Sequence, residues 1–390
     1  MHVLHVVPNF LDPIGGEEIF VRGLTYHLEK KYNVHQSVVT QSNNKQRKVI
    51  QKAGVSVISL PVWRFGYYNI LPQLPSVLLN DKYDVINIHG YGDYPADIVC
   101  LLKKLRLLGD TRLILTVHGL FGLKSGYSAT DFSVPFPGTK QRIRSFFHHF
   151  FYDYILGRLE IKTFDKVIIQ SEEDRIYLSK NGLKEHKVVK IPIAINDLFF
   201  KQTSTIPMSE RYYILYVGRI DPFKGLDVLV KAIKELKSKG IALKCIIAGK
   251  DCGYGSQLRF LVDKLDVAEQ VEVRDYLLQE DLLDLYSHAL VTVLPSLSEG
   301  FSLALVESIA SGTPFIATPV GANSELVAST NGGILAPVGE PKTLANTILH
   351  VIKNEQLWLN MSTNGRKSVP FFSYEQVAEK HYQVYLELTK

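Results

Sequence analysis

The chain has 390 residues, of which 46% are hydrophobic and 21% charged, with a net charge of +5. That length exceeds what one hydrophobic core usually organises, so two domains are expected, and the composition excludes an extended disordered chain. So small a charge does not argue for nucleic acid, and three cysteines (Cys100, Cys245 and Cys252) without metal-ligand or redox spacing indicate neither a disulfide framework nor a zinc site.

The first apolar run, residues 3–7, reads as a strand with no basic leader or cleavage site before it. No stretch reaches the roughly 18 continuous apolar residues that span a bilayer. A cytoplasmic protein is expected. Further short apolar runs at 37–40, 55–60, 85–89, 113–118, 167–170 and 188–191 are separated by longer helical patterns. Buried parallel strands read this way, because helices cover both faces of their sheet. The polar segment 201–209 is the expected linker.

A second series follows at 213–217, 243–248, 271–273, 291–295, 314–317 and 333–335, alternating with helical stretches such as 225–238 and 280–288. Ser373, three residues before Gln376, looks like a capping box that opens a final helix to about residue 386, with Val377, His381, Val384 and Tyr385 on one face. The expected division is a first α/β domain over 1–200, a second over 201–370, and a C-terminal helix over 371–390 that packs back on the first domain. In doubly wound sheets ligands sit beyond the carboxyl ends of the strands.

Two segments carry chemistry. Gly218-Arg219-Ile220-Asp221-Pro222-Phe223-Lys224-Gly225 leaves a strand and enters a helix, and it puts two cations where a diphosphate can bind. A basic turn on a surface loop is the plain alternative. The second segment places Glu299 at a strand end and Glu307 eight residues on, inside a helix. Gly300, Phe301, Ser302 and Leu303 lie between them as loop and first turn, where free N–H groups favour an anion. Glu307 falls among Leu303, Leu305, Val306, Ile309 and Ala310, and an ionised carboxylate there needs a partner.

These two motifs, with Val320-Gly321 soon after Gly312-Thr313-Pro314, resemble the retaining glycosyltransferase family 4 (glycosyl transferases group 1). The resemblance is continuous over residues 213–335 and looser elsewhere. It implies the GT-B fold, two Rossmann-like doubly wound α/β domains facing a cleft, the first (1–200) on the acceptor side and the second (201–370) binding the nucleotide sugar, and transfer of a sugar from a nucleoside diphosphate sugar to an acceptor hydroxyl.

By that resemblance Arg219 and Lys224 bind the diphosphate, Glu299 touches the transferred sugar, and Glu307 accepts from the ribose hydroxyls. Gly218 lets the backbone approach, and the base sits near Asp275, Tyr276 and Leu277. In the first half, Gly15 and Gly16 match the family's glycine-rich loop, and His118 matches its active-site histidine near the sugar. Gln170-Ser171 and Asn196-Asp197 match further segments and read as structural.

No Asp-x-Asp motif or metal-ligand cluster is present in the sequence, so no metal and no cofactor are expected; Arg219, Lys224 and helix ends supply the countercharge. The family implies retention, with a UDP-sugar favoured as donor and GDP-mannose next. The acceptor is expected to be a glycan or lipid-linked saccharide, used in cell-surface polysaccharide or glycoconjugate synthesis.

Residues 137–152 combine Lys140, Arg142 and Arg144 with Phe146, Phe147, Phe150 and Phe151, a mixture that suits peripheral contact with the inner face of the cell membrane. A helix with core aromatics and solvated charges fits the same residues. Two competing functions remain open at this point: a nucleotide-sugar epimerase or hydrolase of the same architecture, and a non-catalytic nucleotide-sugar-binding partner protein.

Overall fold

The computed structural model describes residues 1–8, 10–11, 16–44, 46–52, 54–65, 68–91, 94–120, 157–201 and 206–390. Gly15 and the stretch 137–152 lie outside the described residues. The chain divides into two compact units, Met1–Ile193 with Tyr374–Lys390, and Ala194–Ser373.

The first unit is built on β1 (His2–Val7), β2 (His35–Ser42), β3 (Lys48–Lys52), β4 (Val55–Pro61), β7 (Val85–His89), β8 (Arg112–Thr116), β9 (Lys166–Ile169) and β10 (Val188–Lys190), with a small ribbon of β5 (Trp63–Phe65) and β6 (Tyr68–Ile70). The main sheet runs β10-β9-β8-β7-β1-β2-β4-β3. Its pairs are parallel except β3 with β4. The apolar runs of β1, β7 and β8 are buried almost throughout, as strands covered on both faces must be. Sequence patterning missed β3, because this edge strand is exposed along its whole length and carries a lysine at each end, a common guard against edge pairing.

The last helix, Tyr374–Thr389, belongs to this unit. It buries Val377, Ala378, His381, Val384 and Tyr385 and lies along the helix Gly16–Tyr32. Tyr32 stacks on Tyr382 at 4.2 Å between ring centroids, and the Tyr374 hydroxyl donates to the Ile19 carbonyl at 3.0 Å.

The second unit holds β11 (Tyr213–Val217), β12 (Lys244–Ala248), β13 (Val271–Arg274), β14 (Ala289–Leu294), β15 (Phe315–Ala317) and β16 (Gly333–Leu335), all parallel, in the order β13-β12-β11-β14-β15-β16. Numbered within the unit this is 3-2-1-4-5-6, the order of dinucleotide-binding sheets, and the connections diverge between β11 and β14, the point beyond whose carboxyl ends such sheets bind ligands.

The change of unit falls at Ile193/Ala194 rather than at 200/201. The residues just after it are already tied to the second unit: Ile195 N–H donates to the Phe372 carbonyl at 3.0 Å, and the Phe199 ring meets Tyr286. Among the described residues no helix is long and apolar enough to cross a membrane.

Candidate functional site

In the second unit the strand-end turns are locked to one another. After β11, Gly218 N–H donates to Ala248 O (3.0 Å) and Ile220 N–H to Lys250 O (2.9 Å), which fastens the turn to the end of β12. Asp221 accepts the Phe223 N–H at 2.9 Å and so caps the short turn Pro222–Lys224. Gly225 follows with φ +63°, and a Cβ there would lie 2.0 Å from the Pro295 carbonyl oxygen, so the backbone itself needs glycine. Leu297 N–H donates to Phe223 O at 2.8 Å. The loops after β11 and β14 are thereby one structure, at the point where the sheet diverges.

Lys224, Ser296 and Glu299 meet inside it. Lys224 Nζ lies 2.7 Å from Glu299 Oε1, and Ser296 Oγ donates to the same oxygen at 2.7 Å. The lysine and glutamate side chains are only 10% and 6% exposed. Each charge compensates a partner that burial would otherwise make costly. Arg219 differs: its side chain is 47% exposed, with Asp221 Oδ2 at 3.3 Å, so the guanidinium is open to an incoming anion.

Gly300 O accepts from Ala322 N–H at 2.8 Å, and Ser302 stands at the amino end of the helix Leu303–Ala310. Glu307, on that helix, is buried, and burial pushes its carboxyl up to about 7 against the opposing pull of the Tyr286 hydroxyl, which donates to Oε2 at 3.1 Å. Asp275, Tyr276 and Leu277 follow β13, beside the β12 end through Gly249 N–H to Arg274 O (3.1 Å). Tyr276 is half exposed.

Gly218, Arg219, Lys224, Glu299 and Gly300 thus share the ends of β11 and β14, while Glu307 lies within the helix that follows β14 and pairs with Tyr286. Sequence reasoning missed Ser296 and Tyr286. Ser296 stands three residues before Glu299, a local signal that was there to read, whereas Tyr286 comes from another helix and has none.

The remaining expected residues are in the first unit. Gly16 opens the helix Gly16–Tyr32. His118 follows β8, and both its ring nitrogens are engaged: Nε2 is 2.9 Å from His89 Nδ1, and Nδ1 is 2.9 Å from Gln170 Nε2. His89 Nε2 in turn is 3.0 Å from His5 Nδ1, and His5 Nε2 is 3.2 Å from Gln36 Oε1. Burial pushes His5 down to about 4 and His118 down to about 3, and it takes His89 well below the usual imidazole range.

A separate cavity of about 450 Å³ lies where β1 and β2 end, lined by Gln41, Asn43, Asn44, Lys48 and Arg64 among others, with Phe10 and Ile50 as apolar walls. Among the described residues no acid lines it. Nor does any group of three or more His, Cys, Asp or Glu there stand ready to hold a metal ion.

Two Rossmann-like α/β units, one with the strand order of a nucleotide-binding sheet and interlocked turns at its strand ends, define the GT-B class. The chain matches the family described as Glycosyl transferases group 1 over residues 200–368 and Glycosyltransferase Family 4 over residues 14–197, nearly its whole length together. It belongs to glycosyltransferase family 4.

An uncharacterised glycosyltransferase of Methanocaldococcus jannaschii is 30% identical over 226 residues, 58% of this chain and 60% of that one. D-inositol 3-phosphate glycosyltransferase of Corynebacterium efficiens is 29% identical over 181 residues, 45% of this chain and 43% of its own. The chain therefore spans less than two thirds of the length of these curated relatives. Among solved structures, sucrose-phosphate synthase from Thermosynechococcus elongatus matches with TM-score 0.77 at 23% identity, over 99% of this chain and 98% of that one. Anabaena HepE, solved with UDP and glucose, matches with TM-score 0.73 at 17% identity, over 99% and 100%. At these identities the likeness is one of fold.

Proposed function

We propose that the chain transfers a sugar from a nucleoside diphosphate sugar to a hydroxyl of a glycan or lipid-linked acceptor, with retention and without a metal ion, in cell-surface polysaccharide or glycoconjugate synthesis in the cytoplasm. The observation that carries this reading is the buried Lys224–Glu299–Ser296 cluster beside the open guanidinium of Arg219, at the divergence of β11 and β14.

Arg219 and the amino end of the helix Leu303–Ala310, with Gly300, Phe301 and Ser302, stabilise charge on the departing diphosphate. Lys224 contributes a second cation, held in place by Glu299. The acceptor oxygen bonds to the anomeric carbon as the bond from that carbon to the phosphate oxygen breaks, and the acceptor's proton passes to that phosphate oxygen. Glu299 already has two donors on one oxygen, which suits an electrostatic and orienting role rather than that of a free nucleophile.

Glu307 receives the ribose hydroxyls, and the base lies by Asp275, Tyr276 and Leu277. A UDP-sugar is favoured, in keeping with the UDP and glucose bound by HepE. On the acceptor side, the cavity with Lys48 and Arg64 suits a hydroxyl-rich ligand bearing phosphate or carboxylate.

The test is a panel of UDP-, GDP- and ADP-sugars, reading thermal stabilisation and slow donor hydrolysis by mass spectrometry. One donor class should stabilise the chain and be hydrolysed equally well in excess chelator. Isomerised donor without any acceptor would assign an epimerase instead. Turnover abolished by chelator and restored by magnesium would refute the metal-free step.

A further inference from the structure

The contacts around His118 form a staircase across the first sheet. Gln36 on β2 pairs with Val3, and His5 stands two residues beyond it; His5 pairs with Asn87, two before His89; His89 pairs with Thr116, two before His118. A step of two keeps every side chain on one face, so five polar groups from neighbouring strands and their ends line up as Gln36, His5, His89, His118 and Gln170.

The direction of the hydrogens follows from one end. Gln36 Nε2 donates to the Thr25 carbonyl at 2.7 Å, which turns its own Oε1 toward His5. His5 Nε2 must then carry the hydrogen, and a neutral His5 has only a lone pair on Nδ1. That lone pair accepts from His89 Nε2–H, His89 Nδ1 accepts from His118 Nε2–H, and His118 Nδ1 accepts from the Gln170 amide. Among the described residues none of the three rings bonds to a carboxylate.

Gln36, His5, His89 and Gln170 are buried, and aromatic rings cover the column. Phe20 packs edge-on to His118, and Tyr385 of the last helix packs edge-on to His5. His381 of that helix is itself pushed down to about 3 by burial, so it adds no positive charge. At the far end Gln170 Oε1 is buried without a hydrogen-bond partner among the described residues. That orphaned oxygen is a cost of committing the Gln170 amide group, rather than its carbonyl, to the ring.

We propose that Gln36, His5, His89 and Gln170 are positioning residues that hold His118 as an uncharged imidazole with its hydrogen on Nε2 and both nitrogens engaged. His118 then meets a substrate as a fixed neutral surface and exchanges no proton with it. The kinetic part of this inference rests on the proposed sugar transfer; the protonation state does not.

The experiment is long-range nitrogen–proton NMR of the whole chain labelled at histidine, from pH 6 to 8. His5, His89 and His118 should all show protonated Nε2 and bare Nδ1 throughout. A charged His118, or one protonated on Nδ1, overturns the proposal on the wild-type protein.

The companion variant is Gln170→Glu, which offers Nδ1 only an acceptor. His118 should then take up a proton, with a new ionisation between about pH 5 and 8 in its spectrum and in the pH profile of donor hydrolysis. A profile identical to wild type while His118 is charged removes its positioning role. If the wild type hydrolyses no donor, the transfer reading fails while the spectrum still decides the column.

Discussion

Replacing Glu307 by Gln isolates the cost of a buried carboxylate. Its ordinary value of 4.5 is pushed up to about 7 by burial. Between those values the folded chain keeps a proton that the unfolded chain has lost, so wild-type stability falls as pH rises from about 4.5 and levels off above 7. At about 1.36 kcal/mol per pKa unit the total is about 3 kcal/mol.

Glu307→Gln has no such proton and can still accept from the Tyr286 hydroxyl. Its stability relative to wild type should therefore climb by about 3 kcal/mol between pH 4 and pH 8. Urea unfolding followed by tryptophan fluorescence reads this in the right unit, because Trp358 is 3% exposed in the second unit and Trp63 is 60% exposed in the first. The same variant should lose UDP affinity by roughly 10- to 100-fold, the worth of hydrogen bonds to a charged acceptor. A stability difference that does not vary with pH would refute the argument.

Lys224→Ala strands Glu299 without its counterion and should cost roughly 3 kcal/mol in urea unfolding, whereas Lys224→Met with Glu299→Leu should recover most of that and bind no nucleotide sugar in calorimetry. Arg219→Ala should change stability by under about 0.5 kcal/mol, since the group is half exposed, yet weaken UDP about tenfold by titration calorimetry. Gly225→Ala drives a Cβ into the Pro295 carbonyl and should lose more than about 2 kcal/mol by thermal unfolding. Gly240→Ala, at φ +76° with open space around it, should lose only about 1 kcal/mol in the same scan.

The parallel strands were readable because burial on both faces makes each an unbroken apolar run. β3, β5 and β6 were not, since an exposed edge and a three-residue ribbon need no such run. The unit boundary escaped for a related reason: Ile195 and Phe199 carry nothing that says which core they enter.

At the site, Gly218 to Gly225 and Glu299 stood out by their place between strand and helix, and Glu307 by its charge among apolar helix neighbours. Their partners did not. That Lys224 and Ser296 converge on one oxygen of Glu299, and that Tyr286 reaches Glu307, are products of the tertiary fold. The histidine column was invisible because its members span residues 36 to 170, and only the strand register reveals the two-residue stagger.

The placement of Tyr374–Lys390 in the first unit carries a consequence for synthesis. Ala194–Ser373 is one uninterrupted stretch and is complete before the last helix leaves the ribosome. Met1–Ile193 must wait for it. At typical synthesis rates the roughly 200 residues between take about 10 to 40 s, so the later half of the chain can finish first. Until then the nascent protein exposes the patch around Phe20 and Asn87 that Tyr374, His381 and Tyr385 eventually cover.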